Sequence, residues 1–169
     1  MTASRVLSWS DAPEPIRALA RWMTIIQVVG YTTALVFVRH TTGMTPSGAA
    51  LRYRGSDADS TEAAMQFSKS FAEMLNITHT HLLSMAAIFV FSGLALALCS
   101  RPSERWRRIL VVEPFVALLV SFSAMWLMRY VDARFSWLLA LSSSVMAVTF
   151  YIQSFFILRE VRFSSRATP

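Results

Sequence analysis

Four stretches of the chain are each long and apolar enough to cross a bilayer, and this constrains the fold more than any other feature. They run about 22–38, 77–99, 109–128 and 135–158 and together hold one formal charge, Glu113. A bilayer core needs roughly 20 apolar residues wound as a helix. Lipid offers backbone groups no hydrogen-bond partner, and none of the four stretches alternates with period two. All four are therefore expected to be helices.

Composition supports the reading. Of 169 residues, 54% are hydrophobic and 15% charged, whereas a soluble domain averages about 25% charged. That argues against an ordinary soluble enzyme and against a disordered chain. A single cysteine, Cys99, excludes an internal disulfide framework and a Cys-rich zinc or iron–sulfur site. Residues 1–17 are mixed polar, with Pro13 and Pro15, and lack the apolar run of a cleavable signal. The first span is expected to stay as an anchor.

The net charge of +6 would point to nucleic acid in a polar protein. Here the placement of the cations points to topology. Arg5, Arg17, Arg21, Arg101, Arg105, Arg107, Arg108, Arg159, Arg162 and Arg166 fall on one side of the four spans. Arg39, Arg52, Arg54, Lys69, Arg129 and Arg134 fall on the other, among five acids. Ten against six, with four of the ten in one short loop, places the first side in the cytoplasm. The expectation is one membrane domain, an all-α four-helix transmembrane bundle running up-down-up-down in a bacterial inner membrane. Both termini are cytoplasmic, and the loop 39–76 is periplasmic. Trp9, Trp22, Trp106, Trp126, Trp137, Tyr130 and Tyr151 mostly fall near span ends, as an aromatic belt would. No nucleic-acid partner is expected.

The outer loop divides in two. Residues 41–60 hold Gly43, Pro46, Gly48 and Gly55 and read as turn and loop. Residues 61–76 space Ala64, Phe67, Phe71, Met74 and Leu75 as an amphipathic surface helix, capped by Asp59 with Glu62. Phe67 and Phe71 would dip into lipid or the bundle.

All three histidines lie on this outer side. His40 ends span one, and His79 and His81 open span two. Residues two apart on a helix point roughly 200° apart, so only one of His79 and His81 should face the bundle. His81 shares a face with Met74, Met85, Ile88 and Ser92, which favours it as the inward one.

Two cofactor readings follow. A b-type haem would take His40 with His81 or His79 as axial ligands, with Arg39, Arg52, Arg129 or Arg134 toward the propionates. A copper ion would take the soft set His40, Met44, Met74, His81 and Met85. In the plainer reading the histidines bond to loop carbonyls, Asp132 or Glu73, and methionine fills the core.

Other polar residues have structural readings. Glu113, just before Pro114, is expected to pair with Arg107, Arg108 or Arg159. Arg129 should pair with Asp132. Ser121, Ser123, Ser142, Ser143 and Ser144, and the pair Gly30 and Ala34, suit close helix contact. Gln27 and Gln153 are placed to hydrogen-bond across helices. The chain has no phosphate loop, no HExxH, no paired intramembrane carboxylates and no inverted repeat of broken helices. Cys99 lies at the end opposite the histidines.

Phe37-Val38-Arg39-His40-Thr41-Thr42-Gly43, Tyr53-Arg54-Gly55 and Ile77-Thr78-His79-Thr80-His81-Leu82-Leu83 together resemble a group of small bacterial inner-membrane proteins. Those have four spans and a T-H-x-H stretch opening the second. The resemblance implies topology over most of the chain and no activity. The leading functional expectation is a non-catalytic membrane subunit of a larger assembly, of respiratory or other redox type. Its neighbours would be lipids, other subunits or copies of itself. A haem-binding electron carrier and a copper-handling protein are the alternatives.

Overall fold

A computed structural model describes residues 8–56 and 66–163 of the chain, with side chains to Val161. After a short 3₁₀ turn at Trp9–Asp11 come α1 (Glu14–Thr42), α2 (Pro46–Arg54), α3 (Phe71–Ala97), α4 (Glu104–Tyr130) and α5 (Phe135–Phe163). Helices α1, α3, α4 and α5 are long and apolar enough to cross a membrane, and they form a transmembrane four-helix bundle. At 1.5 Å per residue, 27 residues span about 40 Å, more than the roughly 30 Å hydrocarbon core. Such helices have length to spare beyond the apolar stretch, and side-chain caps at Thr45 and Ser70 set where α2 and α3 begin.

Those caps correct the outer loop. The segment read as turn, 41–60, contains α2. Thr45 caps it, its Oγ1 accepting from the Gly48 amide at 3.0 Å, and Pro46 occupies the first turn, where no amide is needed. The segment read as a surface helix has none at 66–70. Ser70 instead begins α3 with a capping box. Its Oγ accepts from the Glu73 amide at 3.2 Å, and Glu73 accepts from the Ser70 amide at 2.8 Å. The Asp59 and Glu62 pairing lies outside the described residues.

Residues 66–69 return against the end of α2. The Ser56 amide donates to Gln66 O at 2.9 Å and the Lys69 amide to Tyr53 O at 3.0 Å. Gly55 makes this approach possible. Its φ is +86°, and a Cβ there would stand 2.7 Å from both Gln66 O and Ser68 N.

Three stacked clusters fill the bundle. One joins Trp9, Ala20, Leu96, Cys99 and Ile157 at the arginine-rich end. A second centres on Phe89, Leu118 and Phe150. At the histidine end the buried members are Met74, Met125 and Met128, roofed by Ala49, Ala50 and Tyr53 of α2.

Coverage is unequal. In the most apolar window of each helix, 39% of α4 is buried but only 6% of α1. Helix α1 leans on α5 and barely meets α3. Gly30 has nothing within 4 Å of a would-be Cβ, and Ala34 is exposed. The small pair on α1 therefore makes no contact inside the bundle, unlike Ser121 and Ser142, whose hydroxyls meet at 2.8 Å between α4 and α5.

Candidate functional site

The histidine end is closed by side chains that reach helix-end and loop carbonyls. Arg54 Nη1 donates to Met128 O at 2.8 Å, satisfying a carbonyl that the last turn of α4 leaves free. Arg129 Nε donates to Lys69 O at 2.9 Å, and its guanidinium lies 4.9 Å from the Tyr130 ring centre. Trp126 Nε1 donates to Thr78 Oγ1 at 2.8 Å. Arg52 stacks over Phe37 at 5.6 Å. Burial pushes the Tyr53 hydroxyl up from its ordinary pKa, with Arg52 acting against it.

The expected pair of Arg129 with Asp132 is absent. Arg129 serves the Lys69 carbonyl, while Asp132 Oδ1 accepts from the Arg134 amide at 2.7 Å in a local turn. Two carbonyl and amide groups needing partners outcompete an exposed ion pair worth little in water.

The three histidines all stay outside the core. His40, in the last turn of α1, His79 and His81 are exposed. His81 does share its helix face with the buried Met74 and Ser92, yet it is not inward. The face is right, but α1 does not come across to cover it. His81 Nδ1 donates to Ile77 O at 3.0 Å, one turn back on its own helix. That leaves Nε2 directed away from the helix.

The methionines separate. Met44 is exposed, with a left-handed φ of +56°. Met85 packs on the middle cluster, and Met74 is fully buried with Met125 and Met128. Arg39 is exposed beside His40. Among the described residues no three His, Cys, Asp or Glu side chains gather as a metal group.

A second polar region lies inside the bundle toward the arginine-rich end. Pro114 interrupts α4, and a proline has no amide for the carbonyl four residues back, here Leu110 O. Gln153, fully buried on α5, donates its Nε2 to that carbonyl at 2.6 Å. Gln153 therefore hydrogen-bonds across helices as its position suggests, with backbone as its partner, whereas Gln27 Oε1 has none.

Glu113 also departs from expectation, because its Oε2 is buried without a partner. The arginines that were to reach it are engaged or turned outward. Arg107 Nη1 donates to Cys99 O at 2.9 Å and Ala97 O at 3.1 Å, and Arg108 lies 3.8 Å from Glu104. Arg159 is exposed.

Beside these, Tyr31 stacks on Phe150 at 4.5 Å, and Tyr151 Oη lies 2.8 Å from Thr32 Oγ1. At the arginine-rich end itself, Trp9 Nε1 donates to Ala95 O at 2.9 Å. Burial, first, and the nearby Glu160 push the Cys99 thiol up to about 12, against smaller opposing effects from Trp9 and Arg107.

Sequence reading missed the partnership of Pro114 with Gln153. Its signal was present, since a proline inside a span announces a carbonyl that lipid cannot satisfy.

Comparison with known proteins agrees with this architecture. No match is found among the curated proteins or the solved structures. Residues 43–168, from the corner after α1 to the last turn of α5 and beyond, match a family model described as a transmembrane helical domain, Aq_1264_TM. A match over so much of the sequence, on a bundle of four membrane-crossing helices, makes this chain a member of the Aq_1264_TM family of transmembrane helical domains.

Proposed function

We propose that the protein is a non-catalytic membrane subunit. It would lend its helices to a larger assembly through the side of the bundle formed by α1 and the start of α3. The observation that carries this reading is the bareness of α1, 6% buried in its apolar window, with Gly30 open at its middle. Membrane helices associate through small residues that let backbones approach. Beside this face stand His79, Thr80, His81 and Ser84, all exposed. Another helix would satisfy them better than acyl chains.

The reading includes a single up-down-up-down domain in a bacterial inner membrane with both termini in the cytoplasm. The arginine-rich end supports this orientation. A reporter fused after Pro169 should be active only in the cytoplasm, and activity only in the periplasm would reverse it.

The assembly is tested by gentle solubilisation of native membranes. The protein should migrate in a stoichiometric complex well above its own 19.0 kDa. Gly30→Leu should dissolve that complex while the isolated protein stays folded, because residue 30 is exposed and a Cβ there meets nothing within 4 Å. Equal, solitary migration of both forms would reject the proposal.

One observation favours a second reading, a b-type haem between His40 and His81. The Nδ1 bond from His81 to Ile77 O fixes the ring and leaves Nε2 as ligand, the arrangement metal-bound histidines use. A Soret band in the purified protein, lost in His81→Ala and kept in His79→Ala, is the expected result. A colourless preparation from haem-replete cells would end this reading, and metal analysis of the same sample would test copper.

A further inference from the structure

Polar oxygens buried in a membrane-spanning bundle need donors or cations, because lipid supplies neither. Among the described residues, three side-chain oxygens are buried without any partner: Gln27 Oε1 on α1, Glu113 Oε2 on α4 and Gln153 Oε1 on α5. They come from three helices but lie at one level. Between α4 and α5, Ser121 meets Ser142 and Leu110 meets Gln153, a register that sets Glu113 beside Phe150. Between α1 and α5, Tyr31 stacks on Phe150, a register that sets Gln27 beside Gln153 and Ser154. The spread along the bundle is about one helical turn, roughly 5 Å.

The orientation of the Gln153 amide is not free. Its Nε2 is held by the Leu110 carbonyl, so its oxygen must point elsewhere, and the whole side chain is buried. The Thr32 and Tyr151 hydroxyls are already in use. Thr32 Oγ1 donates to Val28 O at 2.7 Å, so the Tyr151 hydroxyl is the donor in their 2.8 Å contact. Tyr31 and Glu113 stand at one level, each set beside Phe150 by these registers. Arg17 and Arg21 also carry buried, unpartnered Nε atoms. They sit nearer the arginine-rich end, Arg21 six residues or about 9 Å before Gln27 along α1.

We infer that Gln27, Glu113 and Gln153 form a binding site for a single dehydrated alkali cation of the sodium type, within the bundle toward its arginine-rich end. One carboxylate and two amide carbonyls are hard oxygen ligands, suited to hard cations and not to copper or zinc. The one negative charge balances one positive charge. A divalent ion would leave a net charge in a medium of low dielectric, where the penalty is large. An intramembrane carboxylate is the usual marker of such sites.

The test uses the full-length protein in detergent. Thermal unfolding is followed in sodium, potassium and choline chloride at one ionic strength and pH 7.5. An alkali cation should raise the midpoint by several degrees over choline, in a saturable way. Glu113→Gln, which keeps the shape and removes the charge, should abolish the difference, and Gln27→Leu should weaken it. Sodium-23 relaxation on the same proteins gives a readout independent of stability, with excess broadening in the wild type and none in Glu113→Gln. Identical midpoints in all three salts without excess broadening, or a cation effect that survives in Glu113→Gln, would overturn the inference.

Discussion

The two ends of the bundle solve one problem in different ways. At each, helix carbonyls would be left without partners. The arginine-rich end turns its donors inward. Trp9, Arg107 and Gln153 reach the buried or half-buried carbonyls of Ala95, Cys99 and Leu110, and the Cys99 side chain is buried among them. The histidine end builds a clasp from α2 and the returning residues 66–69, held by Arg54 and Arg129, and leaves its three histidines facing out. The first end meets those carbonyls with side chains of its own core. The second is finished only in its backbone, and its ring groups remain available to something else.

The sharpest test of that contrast is chemical access. Cys99 should resist maleimide at pH 8 in the folded protein by roughly a thousandfold relative to an ordinary thiol, because little thiolate forms when the pKa is held at about 12. Stopped labelling that becomes fast on unfolding is the expected result, and fast labelling throughout would mean the end is not sealed. The sign for stability follows. The folded value lies above the ordinary one of 9.0, so this group's contribution is complete below about pH 9 and is lost as pH climbs toward 12.

At the other end, Gly55→Ala should cost about 3 kcal/mol, from the left-handed backbone and the collision with residues 66 and 68. Reversible unfolding in mixed micelles would measure it. Gln153→Leu should cost about 2 kcal/mol by orphaning Leu110 O. Adding Pro114→Ala should return part of that loss, since an alanine amide can take the carbonyl; strict additivity of the two changes would refute the pairing. The smallest effect is expected at Met44, whose left-handed φ of +56° costs a side chain about 1 kcal/mol. Met44→Gly should be neutral or slightly stabilising in the same assay.

The four spans could be read directly, because long apolar runs admit only a helix in lipid. Their ends were harder, since caps and not hydropathy set them. Ser70-Phe71-Ala72-Glu73 is as readable a capping box as Asp59 with Glu62, and Thr45-Pro46 is a standard helix start. The glycines around α2 disguised it as a loop. The histidines illustrate a different limit. A helical wheel placed His81 on the face of Met74 and Ser92, which are buried, but a wheel holds no information on whether a neighbouring helix arrives to cover that face. Glu113 was assigned a partner by the length of arginine side chains, and the actual competition came from the carbonyls of residues 97 and 99.

A proline in the middle of a membrane helix commonly leaves a soft joint at which the two halves can bend. Gln153 bolts the free carbonyl of that joint to α5, and Ser121 with Ser142 adds a second fastening three turns away. The two helices then move as one stiff plank. The joint is thus tied to α5 on both of its sides, and α1 is the helix least attached to the rest of the bundle.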